Sequence, residues 1–336
     1  MAGRCYYWRR VSCWTDLSCL FFHYETQPNP HPLSWLLHQA PAWFQQLSTA
    51  FNHFVELIVP FGVFGPQRVR HVAGAFLVAF QLLLILSGNL SFLNWLTLVV
   101  CLACFDDDVW CRLLPRRFAA QSERLGGGAS ASLGRRFVLA SWAVVVAVLS
   151  LNPILNMLGP RQRMNASFDP FHWVNTYGAF GSIGRVRHEV VLEGTLAAPT
   201  GDGAPPEGAS WQAYEIPCKP GDPARRPCWV TPYHYRLQWQ MWFASLATVQ
   251  REPWVVHLVY KLLGNEPMAL RLLEHNPFPD EPPRFVRARL FLYRFTNFGE
   301  RGWWRREVVG EYLPPLSRDD PRLLGFLRAH GWPATP

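Results

Sequence analysis

HVAGAFLVAFQLLLILS, His71 to Ser87, decides the fold class. The run contains no Asp, Glu, Lys or Arg, and it reaches the lower limit of the roughly 17–25 residues that cross hydrocarbon. Phe137 to Leu151 (FVLASWAVVVAVLSL) repeats the pattern. Two weaker runs accompany them: Leu47 to Phe64, carrying Asn52, His53 and Glu56, and Leu90 to Phe105, carrying Asn94. The expectation is a multi-span α-helical membrane region of about four helices.

Of the 336 residues 49% are hydrophobic, but the long apolar runs all precede Pro160 and soluble patterning follows. The formal net charge is +8, and Lys219 and Lys261 are the only lysines, so the cation is Arg. A basic chain suits nucleic acid or an anionic membrane surface. Here the Arg residues are scattered or flank apolar runs, which argues for membrane topology and against nucleic acid.

Arg68 and Arg70 follow the first run; Arg112, Arg116, Arg117, Arg124, Arg135 and Arg136 lie between the third and fourth. The positive-inside rule makes that loop, 106–136, cytosolic. Its tip, GGGASASLG, is linker-like. The expected division is a lumenal or interfacial segment over 1–47, membrane helices over 48–153, and a lumenal C-terminal domain over 154–336. Arg4, Arg9 and Arg10 argue mildly against it from far upstream. MAGRCYYWRR has no apolar core, so no cleavable signal peptide is visible at the start. Gln27 to Pro32 (QPNPHP) cannot continue a helix, and Leu33 to Gln46 reads as a short interfacial helix interrupted at Pro41.

From Asn165 onward the chain reads as one α+β domain with antiparallel strands. Tyr177 to Ser182 is a Gly-punctuated turn; Val186 to Gly194 and Trp211 to Ile216 read as strands. Tyr235 to Val249, Trp254 to Leu263 and a shorter Ala269 to His275 have helical spacing. Val286 to Thr296 alternates strictly and is the clearest strand, and Arg305 to Tyr312 is a further one.

Cys218 and Cys228 bracket KPGDPARRP, whose turn dipeptides let the loop double back. Zinc would need a further Cys or His pair, and His234 alone is weak support. Redox motifs place two residues between the thiols, and here there are nine. A structural disulfide in an oxidising compartment is the expectation. Asn165-Ala-Ser167 is a glycosylation sequon on the same side; Asn89-Leu-Ser91 lies at the membrane edge and is expected to be unmodified. Cys101-Leu-Ala-Cys104 has redox spacing but reads as small residues in a membrane helix. His53 with Glu56, the Asp106 to Asp108 run, and His23, Tyr24 and Glu25 are ionisable sets with no visible catalytic partner. Trp303-Trp304-Arg305-Arg306, with Trp211, Trp239 and Trp242, has the composition of a protein-contact surface and equally of ordinary core.

HYETQP (23–28), SGNLSFLNWLT (87–97), ACFDD (103–107), VNTYGAFGSI (174–183), EVVLEGT (189–195), YEIPCKPGDPARRPC (214–228), PYHYRLQWQMWFA (232–244), NPFP (276–279) and WWRR together resemble the lipase maturation factors. The resemblance covers nearly the whole chain from about Cys13. It implies a multi-pass endoplasmic-reticulum membrane protein whose lumenal domain assists folding and dimer assembly of secreted lipases of the lipoprotein lipase type. It implies no catalysis and no cofactor. The implied partners are lipase clients, the lipid bilayer and other lumenal folding factors. Lys219, Arg225 and Arg226 are then expected to be displayed for client contact, together with Trp239, Trp242, Trp303 and Trp304. It also implies membrane spans upstream of the 336 residues. The rival reading is a membrane enzyme, since the region of HYETQP, His53 and Glu56 also resembles vitamin K-dependent carboxylases.

Overall fold

A computed structural model describes residues 13–113, 132–159, 163, 165–176 and 183–332. The expected turn Tyr177 to Ser182, most of the linker tip, and Arg116, Arg117 and Arg124 lie outside the described residues. The helices in the first half are α1 (Leu20–Thr26), α2 (Pro32–His38), α3 (Ala42–Leu57), α4 (Gln67–Ser87), α5 (Leu93–Cys101), α6 (Asp107–Leu113) and α7 (Leu133–Leu158). Then come β1 (Ala166–Ser167), β2 (Asn175–Thr176), β3 (Arg187–Thr195), β4 (Gln212–Ala213), α8 (Arg236–Leu246), α9 (Trp254–Leu263), α10 (Pro267–Leu270), β5 (Phe285–Phe295), β6 (Trp304–Leu316) and α11 (Pro321–Ala329). The chain clusters into two units, one of 1–19, 49–77 and 100–183, the other of 20–48, 78–99 and 184–336.

The first unit holds most of α3, the front of α4, α6, α7 and the β1–β2 pair. A 3-10 turn over Val59–Phe64 extends α3, so Ala42–Phe64, Gln67–Ser87 and Leu133–Leu158 are each long and apolar enough to cross a membrane. Along α7, Phe137 is 73% exposed and Leu158 is 78% exposed. Apolar exposure on that scale marks a surface whose solvent is lipid rather than water. The chain is a membrane protein.

Four spans were expected, and the described residues hold three helices of spanning length. The expected third, Leu90 to Phe105, is a short helix, α5, plus a 3-10 turn over Leu102–Cys104. At its front Ser91 takes a left-handed φ of 69°, which no helix continues through. At its other end the chain packs tightly on α4. Arg70 Nε donates to the Cys104 carbonyl at 3.1 Å, and a Cβ built on Gly74 would lie 2.5 Å from the Cys104 Cβ.

The second unit is built on an antiparallel sheet of order β4-β3-β5-β6. Its period of two divides the core. Val190, Leu192, Val286 and Ala288 pack with Val255, Val259 and Leu262 of α9 and with Leu323 and Leu327 of α11. The opposite face carries Val191, Phe291, Tyr293 and Phe295, with Trp304, under Tyr24 of α1. Both faces of β3 are therefore covered, and eight of its nine residues are buried. The entry to α2 is held by His31, whose Nδ1 accepts the Leu33 and Ser34 N–H groups at 3.1 and 3.3 Å, while the His31 N–H reaches Ser34 Oγ at 3.0 Å. Pro32 suits the first helical turn, where no N–H is needed.

Two expected elements are shorter than the pattern suggested. Trp211 to Ile216 pairs as a strand only over Gln212–Ala213, because at Glu215 the chain leaves β3 to bridge His275. Ala269 to His275 is helical only within Pro267–Leu270; the Glu274 and His275 N–H groups are taken by the Glu215 carbonyl at 2.8 and 3.3 Å.

Candidate functional site

Beneath α1 and α2 a cluster of charge is buried in the second unit. Arg187 and Glu189 lie two apart on β3 and so share one face. Arg187 Nε donates to Glu189 Oε1 at 2.8 Å. The same guanidinium donates to the carbonyls of Glu25 (2.9 Å), Gln27 and Pro28 (3.0 Å), and its carbon stands 5.4 Å from the centre of the Trp304 ring. The Pro-punctuated stretch after α1 does not continue the helix, so the carbonyls at the end of α1 and just beyond need an external donor. Arg187 is that donor, with the fixed fork that can serve several acceptors. Lys219 Nζ contacts the other oxygen of Glu189.

Burial dominates the electrostatics here. It lowers Arg187 to about 9 and pulls Lys219 well below its ordinary range, with Arg187 and Arg225 adding to the Lys219 shift. Burial also raises the Glu25 carboxyl, against the N–H of Phe295, which donates to it at 2.7 Å, and against Arg294, Arg187 and Arg305.

A disulfide joins Cys218 and Cys228. The loop it closes is anchored at nearly every turn. Gln238 Nε2 donates to the Pro217 carbonyl at 2.7 Å, and the Tyr293 hydroxyl donates to the Gly221 carbonyl at 2.6 Å. The Pro223 carbonyl accepts the N–H groups of Trp303 and Trp304 at 2.9 and 3.1 Å. Arg225 pairs with Glu215 at 3.1 Å and Glu274 at 2.6 Å, and donates to the carbonyls of Ile216 and Lys219.

The exit of the loop is read by Asn89, in the turn between α4 and α5. Its Nδ2 donates to the Cys228 carbonyl at 2.8 Å, and its Oδ1 accepts the Val230 and Thr231 N–H groups at 2.9 and 3.1 Å. Asn89 is fully buried, so the Asn89-Leu-Ser91 sequon presents no accessible amide. Asn165 is exposed at the start of the β1–β2 pair.

These contacts redistribute the expected display residues. Lys219 was expected at the surface; it is 5% exposed, because Glu189 on the neighbouring strand draws its ammonium inward. Trp304 is likewise buried, stacked on Phe295 with ring centres 4.2 Å apart. Arg225 is half-buried and holds the loop together. Trp239 and Trp242 are half-buried, and Trp242 Nε1 donates to the Thr26 carbonyl at 3.1 Å. Arg226 is exposed, 6.0 Å from the centre of the half-buried Trp303 ring. A cavity of about 340 Å³ lies beside it, bordered by Pro30, Pro217, Pro227 and Tyr235. Trp229, stacked on His31 with ring centres 4.5 Å apart, and Tyr233 extend the exposed aromatic surface.

Several of the side chains considered for catalysis are engaged by neighbours, with Glu56 itself exposed. His53 Nε2 sits 2.9 Å from the Trp14 carbonyl, Asn52 donates to Glu56 at 3.2 Å, and Tyr24 lies in the core. Cys13 and Cys19 form a second disulfide, which spacing did not suggest. Asn89, Arg187 and Glu189 were missed as organising residues; the available signal was a pair of opposite charges two residues apart on one face at the start of β3.

Residues 6–112 match the family described as "Lipase maturation factor transmembrane domain", and residues 173–314 match "Lipase maturation factor C-terminal domain". The chain belongs to the lipase maturation factor family. It is 48% identical over 339 residues to lipase maturation factor 1 of Bos taurus and 46% identical over 338 residues to that of Homo sapiens; each alignment covers 96% of this chain and 59% of the relative. Lipase maturation factor 2 of Gallus gallus is 28% identical over 428 residues, covering 96% of this chain and 58% of the relative. This lipase maturation factor chain thus spans about 59% of the length of those relatives. No solved structure matches it.

Proposed function

We propose that this lipase maturation factor resides in the endoplasmic-reticulum membrane and assists secreted lipases of the lipoprotein lipase type to reach their active dimer. On this reading residues 154–336 are lumenal, 48–153 hold the membrane helices, and 106–136 are cytosolic. Catalysis is no part of the role. The observation that carries the proposal is the Cys218–Cys228 loop, stapled at its ends and hydrogen-bonded along its length, with Arg226 left exposed on it. A rigid loop displaying a cationic side chain beside the aromatic side chains of neighbouring segments suits transient contact with a partly folded client, because little side-chain or loop entropy is lost on binding. Arg226, Trp239, Trp242 and Trp303 are the proposed contact set; Lys219, Arg225 and Trp304 support it from within. The names of the relatives and the two matched family domains point the same way.

The test is to supply the full-length protein to cells that lack lipase maturation factors and express a client lipase. Restored secretion of active, dimeric lipase is the expected result, with Cys218→Ser restoring markedly less. Unchanged lipase activity on adding the protein sinks the proposal.

A further inference from the structure

The turn between α4 and α5 belongs to the same unit as the sheet, and two of its side chains, with Trp95 of α5, grip the stretch that follows the disulfide loop. Besides Asn89, the Ser91 hydroxyl hydrogen-bonds His234 Nδ1 at 2.9 Å, and Trp95 Nε1 donates to Thr231 Oγ1 at 3.0 Å. An apolar helix of spanning length ends at headgroup level. Residues hydrogen-bonded to the turn after α4 therefore stand at that level too.

What surrounds this point has the composition of a membrane boundary. Trp229 is 49% exposed, Tyr233 60%, Phe243 45% and Leu246 57%. Trp and Tyr concentrate where hydrocarbon meets water, because their rings are apolar and their edges polar. Between α8 and the start of α9 opens a cleft of about 530 Å³, lined by His234, Arg236, Trp239, Phe243, Glu252 and Trp254. It offers one guanidinium, one carboxylate and two indole faces. Arg is suited to phosphate, and a carboxylate with indole faces to a quaternary or primary ammonium. The two opposite charges together match a zwitterion.

We propose that this cleft seats the headgroup of a zwitterionic phospholipid from the leaflet bordering the C-terminal end of α4. The phosphate lies toward Arg236, the ammonium toward Glu252 and the indoles, and the first acyl carbons along Phe243. The inference rests on α4 lying in the membrane and needs no lipase client; it gives the Trp239 indole to the lipid and leaves Arg226, Trp242 and Trp303 for client contact.

The experiment uses the full chain in phosphatidylcholine nanodiscs with photoreactive p-benzoylphenylalanine at Phe243, Tyr233 or Met268, one per sample. Met268 is a comparably open control at 65% exposure. Phospholipid adducts are read by mass. The expected yield at Phe243 and Tyr233 exceeds that at Met268 about tenfold or more, as befits positions within the interfacial belt. Equal yields at all three positions overturn the proposal. With the label at Phe243, Arg236→Gln lowers the adduct about tenfold, the loss of one charge-assisted contact. An undiminished adduct in a variant with an unchanged unfolding midpoint overturns the phosphate assignment. Equal Phe243 adducts in phosphatidylcholine and in phosphatidylglycerol overturn the zwitterion assignment.

Discussion

Removing Glu189 is the sharpest perturbation of the site. The carboxylate is fully buried and touches two cations, Arg187 and Lys219. In Glu189→Gln, Arg187 keeps its three carbonyl acceptors at the end of α1 and just beyond it. Lys219 keeps no counter-charge, and its ammonium stays beside Arg187. Breaking a buried pair from one side costs about 3–5 kcal/mol. An upper bound follows from lysine itself: shedding its proton at pH 7 costs about 4.6 kcal/mol, after which no buried charge remains on it. The expected loss is therefore about 3–4 kcal/mol of unfolding free energy. It is read as the urea midpoint of tryptophan fluorescence for the protein in detergent micelles. The sign of the pH dependence is also determined. A lysine pKa depressed in the folded state means that the unfolded state binds more protons, so the stability of the variant rises with pH. The deficit should shrink by about 1.4 kcal/mol per unit as the pH rises above the folded lysine's pKa, until the unfolded lysine also loses its proton at about pH 10.4. Adding Lys219→Met to Glu189→Gln should recover most of the loss. A Glu189→Gln cost below about 1 kcal/mol, or a deficit flat in pH, refutes the reasoning.

Asn89→Ala leaves one carbonyl and two N–H groups of the loop exit without their partner and should cost about 3 kcal/mol in the same urea experiment; Asn89→Asp, which keeps the acceptor, should cost less. Burial lowers His23 to about 4 from an ordinary 6.5. Its contribution is therefore complete above pH 6.5 and lost as the pH falls toward 4, by up to about 3 kcal/mol, and His23→Gln should flatten that limb of the stability profile. If the C-terminal domain is lumenal, Asn165 in cells should carry a glycan: a glycosidase-sensitive mass shift lost in Asn165→Gln and untouched by Asn89→Gln.

What the sequence disclosed followed from periodicity. The alternation of Val286 to Thr296 fits β5, which runs Phe285–Phe295, and Trp254 to Leu263 matches α9 because both patterns are strong and local. Helix α11 was legible and was missed: Asp320 caps it by accepting the Arg322 N–H at 2.8 Å, and Pro321 opens it. The truncation of α5 was not legible, since it depends on Asn89 being held by the loop exit and on Cys104 packing at Gly74. The position of Lys219 was equally hidden. A Lys between Cys and Pro reads as exposed, and only the pairing of strands reveals a carboxylate waiting beneath it. The break at Gln27 to Pro32 was visible, but its function as an acceptor for Arg187 required the tertiary fold.

The most direct test of the central claim is photocrosslinking from the loop to a nascent client. With the photoreactive residue at Arg226 of the full-length protein in cells making a secreted lipase, the expected product is a lipase adduct that disappears once the lipase has dimerised. No adduct from Arg226, with an adduct instead from a position remote from the loop such as Met268, would contradict the account.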